Sequence, residues 1–158
     1  MMMNGGTLPF SLLRLCGFLW VGLMVGRTAD AQLDFEGAPI DYGKQSTSDR
    51  VSRLADALER GSVTLQSDDN SGYLASVLKA LEVPLESQSL VFSKTSFQLH
   101  KISPGRPRAI YFNDDTYVGW VQGSDIIELA ASDPVQGAVF YTMEPNADGK
   151  PRVIRDRG

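Results

Sequence analysis

Residues 108–121 read RAIYFNDDTYVGWV, and this stretch decides the fold of the chain. Two runs rich in β-branched and aromatic residues, 108–112 and 116–121, flank Asn113-Asp114-Asp115, a triplet of turn-forming residues. Strand-forming runs on both sides of a short turn are typical of a β-hairpin. The stretch therefore predicts two adjacent antiparallel strands.

The predicted hairpin has a definite register if the turn closes between Asn113 and Thr116. Side chains that alternate along each strand then sort into two faces. The pairs are Phe112 with Tyr117, Tyr111 with Val118, Ile110 with Gly119, and Ala109 with Trp120. One face carries Ile110, Phe112, Tyr117 and Gly119, and the other carries Ala109, Tyr111, Val118 and Trp120. Since both faces are apolar, we expect helices to cover one and a partner, another domain or a ligand to meet the other. Gly119 leaves a gap that an aromatic ring or a partner backbone can fill.

More strands are expected on both sides of this hairpin. Period-two runs of β-branched and aromatic residues occur at 90–92, 96–102, 126–130, 138–143 and 152–155. The connections between them are short and contain Gly, Pro, Asn or Asp. Short connections join neighbouring antiparallel strands, so the pattern predicts an antiparallel β-meander over about 89–155.

Two helices are expected before the strands, within about 48–82. Ser46 and Asp49 have the spacing of a capping box, and apolar residues recur at helical spacing until Gly61. A turn at 67–72 precedes a second helical pattern, which ends at Val83-Pro84. The predicted fold class is therefore α+β, a helical hairpin followed by an antiparallel β-meander.

The N-terminal segment, residues 1–31, has the order of a signal peptide. Arg14 precedes an apolar run from Leu15 to Gly26, and Ala29-Asp30-Ala31 has the form of a cleavage site. The run is too short for a comfortable membrane span. We expect cleavage after Ala31, which gives a periplasmic or secreted protein. The alternative is that the segment stays uncleaved as an anchor, and only then would the chain contact a membrane. Residues 32–47 follow as an extended lead-in, and 48–158 form a single α+β domain.

Composition excludes several classes of function. The 158 residues include 15 Lys and Arg against 19 Asp and Glu, a net charge of −4, which argues against a nucleic-acid partner. The chain has one Cys and one His, so most metal-cluster and thiol chemistry is excluded. No metal site and no bound cofactor is expected. Asn146-Ala147-Asp148-Gly149 resembles part of a calcium loop but is explained by a hairpin turn.

Candidate catalytic residues are few. The carboxylates of the strand half could in principle share acid–base work: Asp114, Asp115, Asp125, Glu128 and Asp133. Four of them fall in predicted turns, where Asp is favoured for its hydrogen bonds to the backbone. The run Ser93-Lys94-Thr95-Ser96 places hydroxyls beside an amine, but its spacing is not that of a Ser-x-x-Lys motif. We therefore assign no catalytic residue.

Candidate binding residues are aromatic. The most prominent aromatic residues of the strand half are Tyr111, Tyr117, Trp120, Phe140 and Tyr141. Either most of them belong to the core, or Tyr111 and Trp120 also form a recognition face; Tyr111, Tyr117 and Trp120 are the binding candidates. His100, the only imidazole, lies on the predicted strand 96–102 beside Lys101; it is a further binding candidate, although a solvated strand histidine also explains it.

A family resemblance covers residues 84–143. The segments PLESQSLVFSKTSFQ (84–98), RPRAIYFNDD (106–115), YVGWV (117–121) and GAVFYT (137–142) resemble the N-terminal region of exported bacterial proteins that are cytochrome c-like. In those proteins the resemblance implies haem c, attached by Cys-x-x-Cys-His motifs that follow this region. No Cys follows Cys16 here, so haem is implied only for the relatives.

The expected function follows from location and resemblance together. We expect an exported, non-catalytic domain, a docking or structural module associated with a c-type cytochrome as protein partner. The alternative is a small periplasmic hydrolase or ligand-binding protein, which would need a concave pocket with convergent polar groups.

Overall fold

The computed structural model describes residues 37, 41–42, 44–92 and 95–157. The predicted signal peptide, with its cleavage residues Ala29 and Ala31, lies outside them. Six strands form one antiparallel sheet: β1 Ser89–Val91, β2 Arg108–Phe112, β3 Thr116–Val121, β4 Ile127–Asp133, β5 Gly137–Pro145 and β6 Pro151–Arg155. Each strand pairs with its neighbour in the sequence, in the order β1-β2-β3-β4-β5-β6.

The predicted register of the central hairpin is confirmed. Phe112 pairs with Tyr117, Tyr111 with Val118, Ile110 with Gly119, and Ala109 with Trp120. The turn is fixed by Asn113, whose side-chain oxygen accepts hydrogen bonds from the backbone N–H groups of Asp115 and Thr116 at 3.2 and 2.9 Å. This local side-chain bond sets the register that places each residue on its face.

The predicted α+β class, with a helical hairpin, is wrong, because the fold is mainly β. Only two short α-helices occur in the described chain, α1 Arg50–Glu59 and α2 Leu74–Ala80, together with 3₁₀ turns at Leu85–Ser87 and Leu99–Lys101. The chain from 60 to 73 is irregular rather than a tight hairpin connection, and α1 packs against β4 and β6. The apolar residues of both helices belong to the same core as those of the strands, and this tertiary packing stabilises such short helices.

The start of α1 differs from the predicted capping box. Asp49, not Ser46, is the N-cap, and its carboxylate accepts hydrogen bonds from the N–H groups of Val51 and Ser52 at 2.8 and 2.9 Å. An Asp directly before the helix satisfies these otherwise unpaired donors. At the other end Gly61 adopts a φ of +68°, as expected for the residue that stops the helix.

The predicted strand 96–102 is also wrong. Leu99–Lys101 form a 3₁₀ turn, and Phe97 and Leu99, the apolar positions of the strand pattern, are exposed. Gln98 is instead completely buried. This inversion arises because the polar side chains of Ser96 and Gln98 bind Glu128 on the sheet.

The hydrophobic core lies on one face of the sheet, beneath the helices. Its strand residues are Ala109, Tyr111, Val118, Ile127, Leu129, Ala131, Val139, Tyr141 and Met143, and its helix residues include Val51, Leu54, Leu74, Val77 and Leu78. We call this side the covered face. The opposite side, which carries Ile110, Phe112, Tyr117 and Gly119, is called the open face.

Candidate functional site

The open face carries a row of aromatic side chains across four strands. Phe112 pairs with Tyr117, Tyr117 with Ala130, and Ala130 with Phe140, so these four residues lie side by side. The side chains of Phe112, Tyr117 and Phe140 are 42, 49 and 52% exposed. Phe112 and Tyr117 stack on each other with ring centroids 6.0 Å apart. We call these four residues the aromatic row.

The small residue Ala130 leaves a slot within the aromatic row, between Tyr117 and Phe140. These two residues lie two strands apart, and at about 4.8 Å per strand their backbones are separated by roughly 10 Å. A flat ring that contacts both flanking side chains at about 3.5–4 Å needs roughly 7–8 Å. The slot therefore has the width to accept one planar apolar group between two aromatic side chains.

A second row, next to the aromatic row, contains a buried ion pair. Ile110 pairs with Gly119, and Gly119 pairs with Glu128. The guanidinium of Arg108 crosses over Gly119 and reaches Glu128 with Nη2 2.6 Å from Oε2, and the two side chains are only 15 and 9% exposed. A Cβ atom at Gly119 would lie 2.7 Å from Nη2 of Arg108. The predicted gap at Gly119 is thus filled by Arg108 and not by an aromatic ring or a partner backbone.

Two residues in the connection between β1 and β2 form hydrogen bonds to Glu128 of this ion pair. Ser96 Oγ donates a hydrogen bond to Glu128 Oε1 at 2.6 Å, and Gln98 Nε2 donates to the same oxygen at 3.2 Å. A buried carboxylate is costly unless it is paired and hydrogen-bonded, and Glu128 has both kinds of partner. These contacts hold the polar side chains in place at this end of the open face.

Together the two rows form a groove of about 510 Å³ on the open face. Phe97, Tyr117 and Phe140 line it with apolar surface, and Arg108 and Glu128 line its polar end. This is the size of a site for one ligand or for a few side chains of a protein partner. Exposed aromatic surface beside a few fixed polar groups is the chemistry of recognition.

The predicted binding tyrosines and tryptophan do not share one face. Tyr117 lies on the open face within the aromatic row, whereas Tyr111 is buried in the core beneath the helices. The hydroxyl of Tyr111 accepts a hydrogen bond from Gln88 Nε2 at 2.5 Å. Trp120 packs partly buried against the same core, and its indole N–H donates to the carbonyl of Ser124 at 3.0 Å. Of the three, the structure places only Tyr117 in the candidate site.

His100 lies on the 3₁₀ turn Leu99–Lys101 and is exposed. It is not on a strand, as predicted, and it does not line the open-face groove. Its neighbour Lys101 donates from Nζ to the carbonyl of Gly123 at 3.2 Å.

The candidate catalytic carboxylates have separate partners. Glu128 pairs with Arg108, Asp115 Oδ2 lies 3.1 Å from Arg50 Nε, and Asp133 Oδ2 accepts from the Ser48 N–H at 2.7 Å. The Thr116 hydroxyl and Arg50 hold the pKa of Asp115 below its usual value.

Asp133 is a second carboxyl with a lowered pKa. Burial raises it, but N–H donors from Ser48, Gln136 and Val135 outweigh burial and bring the pKa below its usual value. Both carboxyls are therefore held as structural anions. In the run Ser93-Lys94-Thr95-Ser96 the first two residues lie outside the described chain, and Ser96 is bound to Glu128.

Two searches cover the described residues only. Among them no cluster of three or more His, Cys, Asp or Glu side chains is arranged to hold a metal ion. None of the helices in the same part of the chain is long and apolar enough to cross a membrane.

The site also includes two residues that the sequence did not single out, Arg108 and Ala130. Extension of the hairpin register to the next two strands would have found the row, since Ala130 lies between Tyr117 and Phe140 in direct pairing. The Arg108–Glu128 pair had no comparable indication, because it joins residues on strands that are not adjacent.

Comparison of the chain with protein-family models, with curated proteins and with solved structures finds no match in any of the three.

Proposed function

We propose that this chain is an exported, non-catalytic docking module that binds a protein partner through the open face. The slot above Ala130, between Tyr117 and Phe140, is the observation that supports this proposal most directly. A side chain of the partner that is planar and apolar, such as Phe, Tyr, Trp or Pro, fills the slot and gains contact on both sides. Interfaces gain most of their binding energy from such buried anchors.

The resemblance of residues 84–143 to cytochrome c-like proteins suggests the class of partner, a c-type cytochrome. Under this proposal the partner carries the haem, and the present chain contributes the aromatic row. The Arg108–Glu128 pair positions the polar end of the groove, because its charges are mutually neutralised and fixed by Ser96 and Gln98.

The test measures binding of the purified protein to purified c-type cytochromes from the same organism by isothermal titration calorimetry. Ala130→Leu fills the slot without removing an aromatic ring, and Tyr117→Ala removes one wall. We expect each variant to weaken binding about tenfold or more, the loss of one anchor side chain. Val135→Ala, at a residue 60% exposed and outside the groove, is the matched control and should bind as the wild type does.

Two results would count against the proposal. Binding that is unaffected by Ala130→Leu would remove the slot from the interface. Absence of binding to any c-type cytochrome would refute the assigned class of partner. Circular dichroism of each variant shows whether a loss of binding follows from a loss of fold.

A further inference from the structure

Residues 63–67, which follow α1 and precede α2 in the sequence, include backbone groups without hydrogen-bond partners among the described residues. This segment is not part of the open face. In residues 63–67 Val63 and Leu65 point toward the core, while Thr64, Gln66 and Ser67 are exposed. This alternation is that of an extended chain. The backbone N–H and C=O groups of Thr64, Leu65 and Ser67 form no hydrogen bond with any described residue.

Only the flanking positions of this segment are held. The Val63 N–H donates to the carbonyl of Ala57 at 3.3 Å. The Gln66 N–H donates to Ser76 Oγ at 3.1 Å, and the same hydroxyl donates to the carbonyl of Gln66 at 2.6 Å. In an extended chain the backbone groups of Leu65 and Ser67 face one side, and those of Thr64 and Gln66 face the other. Ser76 holds the side of Gln66, so the free edge is the one that Leu65 and Ser67 form, as on the edge strand of a sheet.

A groove of about 600 Å³ runs beside this segment, between α1 and α2. Its floor is apolar and includes Leu54, Ala57, Leu65 and Ala80. Alternate side chains of an extended peptide that paired with residues 64–67 would point onto this floor.

The rim of the groove is cationic. The described residues that line it include three cationic side chains, Arg50, Arg53 and Lys79, and a single carboxylate, that of Glu82. Arg50 is already paired with Glu82 at 2.5 Å and with Asp115. Arg53 donates to a backbone carbonyl, that of Ser48, and the Lys79 amine has no partner among the described residues. Neither Arg53 nor Lys79 thus forms an ion pair with a carboxylate of the described residues, although the whole chain has a net charge of −4.

We propose that this groove binds an acidic, extended peptide segment of a partner protein. Its backbone adds to the free edge that Leu65 and Ser67 form, its apolar side chains lie on the floor, and its carboxylates meet Arg53 and Lys79. The free edge alternates donors and acceptors, which a peptide backbone complements and a phosphate chain does not. This surface is separate from the open face, and the proposal does not depend on the function of that face.

The test uses ¹⁵N-labelled protein purified from cells that express the full chain, with the peptide acetyl-Glu-Val-Asp-Val-Glu-Val-amide as probe. We expect amide shifts across the segment and slowed hydrogen exchange at Leu65 and Ser67, but not at Thr64, whose N–H faces the other side. Two control peptides separate charge from backbone pairing: one with Lys in place of each acidic residue, and one N-methylated at alternate positions with its charges intact. Both should bind at least about tenfold more weakly, because one reverses the charge and the other blocks the edge.

Protein variants complete the test. Lys79→Glu changes a residue with no partner in the fold and should weaken binding of the acidic peptide about tenfold at low ionic strength. Arg106→Glu, at an exposed residue that does not line this groove, is the matched control and should leave binding unchanged. Equal binding of the N-methylated peptide, or no slowed exchange at Leu65 and Ser67, would overturn the proposal. Equal loss in both charge variants would overturn it as well, because the attraction would then be unspecific.

Discussion

Substitution of Gly119 by Ala tests the link between the strand glycine and the buried ion pair. The new Cβ would lie 2.7 Å from Nη2 and 2.8 Å from Nε of Arg108. Real Cβ atoms do not approach other atoms so closely, so the guanidinium must move away from Glu128. Since Arg108 and Glu128 are 15 and 9% exposed, the displaced charges do not reach water freely.

The size of the effect follows from two opposing terms. Overpacking and disruption of a buried pair cost about 2–3 kcal/mol, and replacement of Gly by Ala within a strand returns about 0.5–1 kcal/mol. Ser96 and Gln98 still bind Glu128, which keeps the loss at the lower end of the range for a broken buried pair. We expect Gly119→Ala to lower the free energy of unfolding by about 2 kcal/mol.

The assay is urea unfolding at neutral pH, followed by circular dichroism and by the fluorescence of Trp120. The same substitution is made in the background Arg108→Met with Glu128→Gln, where no guanidinium occupies the space over Gly119. There we expect Gly119→Ala to be neutral or slightly stabilising, which corresponds to a coupling energy of about 2–3 kcal/mol. Gly105→Ala, at a glycine with no atom within 4 Å of its added Cβ, is the control and should not destabilise.

An equal cost of Gly119→Ala in both backgrounds would refute this reasoning, because the clash would then lie with atoms other than Arg108. A stabilising effect in the wild-type background would refute it too, since the guanidinium would have moved without loss.

Three further predictions concern Asp133 at the end of β4, Glu82 after α2, and Asp49, the N-cap of α1. Folding lowers the pKa of Asp133, so this carboxylate stabilises the fold above its unfolded pKa of about 3.9, and the stabilisation is lost as pH falls further. Asp133→Asn should therefore be less stable than wild type at pH 6. In unfolding titrations the free energy of unfolding of this variant should fall less between pH 5 and 2 than that of the wild type. Glu82 has a φ of +55°, which favours glycine, so Glu82→Gly should be about 1 kcal/mol more stable than Glu82→Ala by thermal unfolding, although both lose the pair with Arg50. Asp49 caps α1 and accepts from the Tyr141 hydroxyl; Asp49→Ala should cost about 2–3 kcal/mol in urea unfolding, and Asp49→Ser should recover about 1 kcal/mol by restoring the cap. Equal stability within either pair of variants would contradict the corresponding assignment.

The central hairpin was predictable because its information is local. Asn113 binds the backbone of Asp115 and Thr116 within the turn itself, and alternation then fixes every pair up to Ala109 and Trp120. The predicted cap of α1, Ser46, lies three positions before the observed one, Asp49. Both residue types are suitable caps, so the local sequence does not distinguish them and only the geometry of the fold does.

The strand predicted at 96–102 failed because its contacts are distant in sequence. Phe97 and Leu99 alternate as in a half-buried strand, yet Gln98 is the buried residue. The amide of Gln98 reaches Glu128, thirty residues away, and no pattern within the segment reports that partner. The helical hairpin failed for a similar reason: the apolar stripes of α1 and α2 are real, but they join one core with residues of the strands, and α1 packs against β4 and β6, which are distant in sequence.

Sequence also left open which face of the sheet the helices cover, since each face of the hairpin offers aromatic residues. The structure assigns Tyr111 and Trp120 to the covered face and Tyr117 to the open one. The described residues of the chain cover only part of the open face. Residues Ser96 and Gln98 cover the row of Arg108 and Glu128.

The connection that carries Ser96 and Gln98 covers Arg108 and Glu128 but leaves the aromatic row exposed. An exposed row of Phe112, Tyr117 and Phe140 loses free energy in water relative to burial, at about 25 cal/mol per Å² of apolar surface. Polar side chains at the same positions would have avoided this cost without affecting the core, which lies on the other face. A partner that covered the row, as proposed above, would offset this cost, and Ala130 would leave room for one of its side chains. Ser96 and Gln98 cover Arg108 and Glu128, whereas the described residues leave the aromatic row of the same sheet face exposed, and this difference favours the proposed docking role.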